Sequence, residues 1–348
     1  MTDVSITHAN PEVDRAPAAI LEIEDLVVKY PLRVGWFGRA NQYVYAVRGV
    51  SLSVNAGQTV ALVGESGCGK TSLGRAALGL IKSAAGRVRF GGELISAMPR
   101  AAMRPLRPRM QMVFQDPFSC LNPRMPVATI VGEALLAHGR CGKSQLHQRV
   151  NDVLAQVGLE AQHKSRYPHE FSGGQRQRIG IARALALEPE LIVCDEPVSA
   201  LDVSVQAQIL NLLQELQDRH GIAYLFISHD LNVVRYLADR VAVMYAGEIV
   251  EHGDAQAVLE TPAHPYTRAL VRANPVPDPD SPDESVVLEG EVPSLTDEVI
   301  GCAFRTRCAD AHAECALTAP ARTRLDSGVE VACHLYTRPN GLANAQSS

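Results

Sequence analysis

The chain has 348 residues, 46% of them apolar, with 33 basic against 38 acidic side chains and a net charge of −5. That length and apolar content allow one large domain with an appendage, or two domains. The acidic balance argues against a nucleic-acid-binding face, and no apolar run approaches the length that spans a bilayer.

Residues 1–19 carry Thr, Asp, Asn, Pro and Glu without an apolar run and read as a mobile tail rather than a signal peptide. Residues 20–23 and 26–30 read as a strand pair, 31–43 as a loop, and 50–54 as a half-exposed strand. Tyr30 either stacks on a nucleotide base or packs on its own sheet edge, and spacing alone leaves both open. Thr59-Val60-Ala61-Leu62-Val63 is a buried strand. It runs into Gly64-Glu65-Ser66-Gly67-Cys68-Gly69-Lys70-Thr71, a G-x-x-x-x-G-K-T phosphate-binding loop, or Walker A. Helical spacing follows over 71–80, with Ser72 in its first turn beside the loop. Strand, glycine loop and helix in that order are the context in which backbone N–H groups and a helix N-terminus cradle an anion. Lys70 is then placed to reach the β- and γ-phosphates of ATP, and Thr71 to ligate Mg²⁺.

Residues 87–92 read as a short strand and turn, and 110–114 as an apolar strand ending at Gln115. A glutamine there can contact Mg²⁺ or position water. Residues 116–171 hold Pro117, Pro123 and Pro126 and then two helical patterns, at 130–138 and 145–157, and so read as a helical insert. Ser172-Gly173-Gly174-Gln175 opens a helix over 176–187, with Ser172 as N-cap. This is a second anion site, and with the first already holding phosphates it must serve a different nucleotide. Residues 191–194 form a continuous apolar run ending in Asp195 and Glu196, as in a parallel strand covered on both faces. Asp195 suits Mg²⁺ and Glu196 suits polarising the attacking water. Ser199-Ala200-Leu201-Asp202 precedes a helix over 203–219, closed by His220-Gly221. A buried strand at 224–228 carries His229 at its end, on the same sheet edge as Glu196, where a γ-phosphate contact is expected. Residues 240–245 and 248–251 read as a hairpin.

In this order the motifs resemble an ABC-transporter ATPase over roughly residues 20–270. The resemblance implies an α/β fold: a RecA-like P-loop core with an antiparallel β subdomain and a helical subdomain at about 116–172. It implies Tyr30 as the adenine-stacking aromatic and Gln115 as the link from Mg²⁺ to transmembrane partners. It also implies Ser172 to Gln175 acting in trans on the partner subunit's ATP. Phe171 stands where the family more often has leucine, a conservative departure. Three stretches are similar to the oligopeptide/dipeptide importer ATPases: Phe114-Gln115-Asp116-Pro117-Phe118 with Leu121-Asn122-Pro123-Arg124-Met125, the run from Asp195 to Gln208, and His264-Pro265-Tyr266-Thr267-Arg268-Ala269-Leu270. That subfamily implies a second ABC ATPase subunit, a paralogue, two transmembrane permease subunits and an extracytoplasmic substrate-binding protein. Nickel, glutathione or another small solute is the alternative cargo.

Residues 274–293 are proline-rich and acidic and read as a linker into an extension that ends the chain, 271–348 in all. Four of the eight cysteines follow at Cys302, Cys308, Cys315 and Cys333, spaced C-x5-C-x6-C-x17-C. Four thiolates converging on one point suit Zn²⁺ or a 4Fe-4S cluster. The spacing lacks the short C-x2-C pairs of structural zinc, and the subfamily resemblance implies the cluster. Cys68, in the phosphate loop, is expected to make the site sensitive to thiol reagents. The expectation from the whole chain is the ATP-hydrolysing subunit of a peptide importer at the cytoplasmic face of the membrane. A soluble ABC ATPase acting on DNA or ribosomes is disfavoured by the acidic charge and the single ATPase unit. A P-loop kinase of another class is disfavoured by Ser172 to Gln175.

Overall fold

The computed structural model describes residues 19–32, 42–116, 120–274, 296 and 300–337. The expected tail before residue 19, residues 33–41 of the expected loop, Pro117 and Phe118, and residues 275–293 of the expected linker lie outside the described residues.

Two sheets organise the molecule. β1 (Ala19–Leu32) pairs antiparallel with β2 (Gln42–Asn55), in a register running from Ala19 opposite Asn55 to Leu32 opposite Gln42. After β3 (Thr59–Val63) and α1 (Lys70–Ala77), β4 (Ala85–Phe90) pairs with the other side of β1, and β5 (Glu93–Leu94) closes the first sheet in the order β2-β1-β4-β5. The strand pair expected at 20–30 is a single bulged strand. Its register slips between Ile23 and Leu26, where Asp25 takes φ 46° and its N–H donates to Ser51 Oγ at 2.9 Å. An aspartate tolerates that left-handed turn, so the strand bends instead of ending.

β6 (Met110–Val113) is followed by α2 (Val127–Ala137), α3 (Lys143–Gln156) and α4 (Gly173–Leu185). The chain then alternates through β7 (Leu191–Asp195), α5 (Val203–His220), β8 (Ala223–Ser228), α6 (Leu231–Leu237), β9 (Arg240–Tyr245) and β10 (Glu248–Asp254). α7 (Ala255–Glu260), α8 (Pro265–Ala273), α9 (Ala313–Leu317), β11 (Arg322–Arg324) and β12 (Glu330–Ala332) complete the elements. The second sheet has the order β11-β12-β10-β9-β3-β8-β7-β6. β3 lies parallel to β8 and β9, and β7 lies parallel to β8 and β6.

The uninterrupted apolar runs of β3, β7 and β8 follow from this placement, since every residue of the three is buried. The period-2 alternation still sorts their side chains. In β8, Leu225 and Ile227 pack with Leu62, Leu73 and Phe90 toward the first sheet, while Tyr224 and Phe226 pack with Ile130, Ile179 and Leu213 toward the helices. A third cluster, under α8, gathers Val243, Tyr245, Tyr266 and Phe304.

Residues 300–337 are not a loose, core-poor appendage. The β11–β12 hairpin continues the main sheet, with Val331 opposite Glu251 and Glu330 opposite His252 of β10. Phe304 is 2% exposed and lies 5.2 Å from Tyr245 and 5.4 Å from Tyr266, centroid to centroid. Arg268 of α8 donates to Tyr336 Oη at 3.0 Å, and that hydroxyl donates to the Ala263 carbonyl at 3.1 Å.

Glu251 anchors the start of α8. Its carboxylate accepts from the N–H groups of Ala263 and His264, at 2.7 and 2.8 Å. His264 caps the helix, Nδ1 accepting from the Tyr266 N–H at 3.0 Å. Burial, helped by Arg268, holds the His264 imidazole down to about 3, and burial with Arg240 and Arg322 holds His252 down to about 4. From the ordinary value of 6.5 down to those values the unfolded chain binds more protons than the folded one. Stability therefore falls on acidification through that window, by up to about 1.4 kcal/mol per pH unit for each histidine. His264→Asn keeps a capping acceptor and removes one titration. The drop in melting temperature from neutral pH to about pH 5 should be smaller in His264→Asn than in the parent chain by scanning calorimetry.

Candidate nucleotide site

The loop between β3 and α1 is held by a close approach. Gly69 has φ 109°, and a side chain there would overlap the backbone carbonyl oxygen of Ala46 on β2. Lys70 is 5% exposed, and its Nζ donates to the carbonyls of Gly64 at 2.7 Å and Glu65 at 2.9 Å. The Thr71 hydroxyl donates to Asp195 Oδ1 at 2.8 Å, tying the first turn of α1 to the end of β7. Burial raises the Asp195 carboxyl above the usual range, and the Thr71 hydrogen bond opposes that shift.

Glu196 follows in the left-handed region, with φ 46°, and its N–H donates to the Ile227 carbonyl at 3.0 Å. That turn carries its carboxylate out of the strand line to meet two neighbours. Gln115 Nε2, just past β6, donates to Oε2 at 2.8 Å. His229 Nδ1, just past β8, lies 3.3 Å from Oε1. Three parallel strands thus deliver Gln115, Asp195–Glu196 and His229 to one sheet edge, the edge at which open α/β sheets bind ligands. Between them and the loop lies a cleft of about 560 Å³ lined by Ser66, Gly67, Lys70, Thr71, Ser72 and the three strand-end groups Gln115, Glu196 and His229. Tyr30 lies beside it, exposed, with its hydroxyl 3.1 Å from Ser72 Oγ.

Ser172, Gly173, Gly174 and Gln175 lie elsewhere, at the start of α4, and do not line this cleft. Ser172 Oγ accepts from the Gln175 N–H at 3.3 Å, and Gln175 Oε1 accepts from the Ser172 N–H at 3.1 Å, a reciprocal cap. Gly174 lets α4 meet α5, since a side chain there would overlap Val205 Cγ1. Asp202 is exposed at the head of α5, away from the cleft, after a turn braced by Gln206 Nε2 at 3.0 Å from the carbonyls of both Val198 and Leu201.

Cys68 is 3% exposed, and burial pushes its thiol up, with Lys70 opposing. A buried, protonated thiol is a poor nucleophile, contrary to the expected reagent sensitivity. The four-cysteine site also needs correction. Among the described residues no group of three or more His, Cys, Asp or Glu side chains is placed to hold a metal ion. Cys302, Cys308, Cys315 and Cys333 are free thiols. Cys302 and Cys308 pack on the aromatic cluster under α8, Cys333 packs with Ala263 and Val331, and the Cys315 sulfur lies 3.5 Å from His312 Nδ1. Burial raises Cys302, Cys308 and Cys333 toward the neutral thiol. They pack as small residues, and the expected 4Fe-4S cluster is not supported.

Two groups that touch the phosphate loop carry no role in the sequence reading. Tyr266 Oη accepts from the Glu65 N–H at 2.9 Å, and Arg307 donates to both Glu65 carboxylate oxygens, at 2.8 and 2.9 Å. Tyr266 was visible in the His264-to-Leu270 motif without a role. Arg307 stands between Cys302 and Cys308, where the thiols draw the eye.

Residues 47–199 match the family model described as ABC transporter, and residues 250–315 match that of the oligopeptide/dipeptide transporter C-terminal region. The chain is 50% identical over 333 residues to a probable peptide ABC transporter ATP-binding protein of Sinorhizobium fredii, covering 94% of each. It is 49% identical over 306 residues to the oligopeptide transport ATP-binding protein OppF of Escherichia coli, covering 86% of this chain and 92% of that one. It is 46% identical over 335 residues to the oligopeptide transport ATP-binding protein AppF of Bacillus subtilis, covering 95% and 100%. None of these names describes an iron–sulfur protein. Among solved structures, CbiO1 of Clostridium perfringens, part of an ABC transporter complex, superposes with a TM-score of 0.61 at 29% identity, over 70% of this chain and 91% of that one. A dimeric ATP-binding cassette bound to ADP and phosphate superposes at 0.60 with 26% identity, over 68% and 98%.

Asp195→Ala removes the buried carboxylate that accepts from Thr71 in the cleft wall. MgATP affinity measured by titration calorimetry should fall by at least about tenfold, or roughly 1.4 kcal/mol.

Proposed function

The chain belongs to the ABC transporter ATP-binding family, in its oligopeptide/dipeptide branch, and we propose that it is the ATP-hydrolysing subunit of a peptide importer. The observation that carries this reading is the meeting of Lys70, Gln115, Glu196 and His229 around one cleft, with Asp195 bonded to the lining Thr71, in a chain with relatives named for peptide transport. Those names favour peptides over nickel or another solute as cargo. In this reading residues 20–270 are the ATPase domain and 271–348 extend it.

Lys70 and the N–H groups of the loop and of α1 bind the β- and γ-phosphates. Thr71, Gln115 and Asp195 offer hydroxyl, amide and carboxylate oxygens, the hard donors that suit Mg²⁺. When bound, that ion neutralises phosphate charge. Glu196 orients and polarises the attacking water, and Gln115 and His229 fix the direction of its carboxylate. His229 also reaches toward the γ-phosphate, and Tyr30 lies against the base. Ser172 to Gln175 serve the nucleotide of a second ATPase subunit, because they lie outside this chain's own cleft. Closure of the pair on ATP and its reopening after hydrolysis drive permease subunits in the membrane, which an extracytoplasmic binding protein supplies with peptide. Among the described residues no helix is long and apolar enough to cross a membrane, which fits a subunit attached at the cytoplasmic face through those partners.

Glu196→Gln, assembled with its transport partners, should retain ATP binding and lose at least about 100-fold in turnover, the usual scale of general-base loss. Full turnover with bound ATP would remove Glu196 from this role.

A further inference from the structure

Glu65 is an acidic residue inside a loop built to bind a polyanion. Left unpaired, its carboxylate would oppose the phosphates that Lys70 and the loop N–H groups attract. The structure turns it aside. Both carboxylate oxygens accept from the guanidinium of Arg307, at 2.8 and 2.9 Å, in a bidentate pair. The Arg307 side chain is 4% exposed, so solvent does little to screen the pair, and the guanidinium also lies 5.8 Å from the centre of the Tyr245 ring. Glu65 lines none of the cleft, whereas Ser66 and Gly67, the next two residues, do. The Glu65 backbone is held as well, by the Tyr266 hydroxyl, which accepts its N–H at 2.9 Å. Glu65 is therefore fixed by two groups that are distant in sequence, both within the matched region at 250–315.

Resting on the ATPase reading above, we propose that Arg307 is a positioning residue for ATP. It neutralises Glu65 and holds its carboxylate off the phosphate cradle, so the segment after residue 300 sets the affinity of the loop for nucleotide. Phe304, packed on Tyr245 and Tyr266, fixes the backbone from which Arg307 reaches. A charge role differs from simple bracing in one consequence. Removing the carboxylate should repair the loss of the guanidinium.

The test uses the full-length chain assembled with its transport partners, reading KM for ATP and kcat together and checking each variant by thermal melting. Arg307→Ala should raise KM about 5- to 10-fold, the span of an ordinary coupling between sites, with kcat changed less than about twofold. Adding Glu65→Gln to Arg307→Ala should bring KM back to within about twofold of the parent, since the unpaired charge is gone. Arg307→Lys, which keeps the charge but not the bidentate fork, should give an intermediate KM and carries the test if Arg307→Ala does not fold. An unchanged KM in both Arg307 variants, or a double variant no better than Arg307→Ala alone, would overturn the proposal. An inactive parent complex would instead sink the ATPase reading, so the two failures are told apart.

Discussion

The constraint on which the site depends is the placement of a buried cation where the backbone is already positive. Lys70 is the first residue of α1, so its ammonium shares the helix N-terminus with the unpaired N–H groups of the first turn. A buried ammonium normally takes a carboxylate. Here it takes two backbone carbonyls, Gly64 O and Glu65 O, and the Glu65 carboxylate, the loop's own anion, is committed to Arg307. The result is a concave surface with a surplus of donors, which a triphosphate can satisfy and a single neutral ligand cannot. The conformation of the loop serves the same end. Gly69 lets the backbone pass against Ala46.

The carboxylates proposed for Mg²⁺ and for the attacking water come from a different part of the architecture. Strands β7 and β8 are buried on both faces, and β6 at the sheet edge runs parallel to them, so their ends are aligned by the sheet rather than by loops. The strand ends hold Gln115 and His229 each within hydrogen-bond reach of Glu196. The left-handed backbone at Glu196 is the one strained feature among them, and it aims the carboxylate at its neighbours. Strain of that kind persists because the Glu196 N–H is anchored to the Ile227 carbonyl.

Much of this was legible in the sequence where a local rule carries the information. The G-x-x-x-x-G-K-T loop, the apolar run ending in Asp195-Glu196, and the Ser172 cap each state their local structure within about ten residues. β1 was less legible, because the Asp25 bulge resembles a turn when only propensity is read. Contacts across long sequence separation were not legible at all. Arg307 meets Glu65 across 242 positions, and nothing in either neighbourhood announces the other. The cysteines misled for a related reason. Spacing counts thiols but not the packing around them, and here the β11–β12 hairpin and Phe304 supply the packing that a metal staple was expected to supply.

The separation of the two anion sites follows from how α4 and α5 are joined to the catalytic edge. Ser199 Oγ donates to the Glu196 carbonyl at 3.1 Å, and Gln206 braces the turn that follows by holding Val198 and Leu201. That turn leads into α5, and Val205 on its first turn sits against Gly174 of α4 with no room for a side chain between them. The Ser172 cap is therefore fixed to Glu196 through one short, closely packed path, yet it stands on a helix end away from the cleft. The close α4–α5 contact at Gly174 and Val205 ties the Ser172 end to this position. In the proposed reading the Ser172 end of α4 serves a nucleotide that a second subunit brings to it, and the position of Glu196 in one subunit then bears on the ATP held by the other.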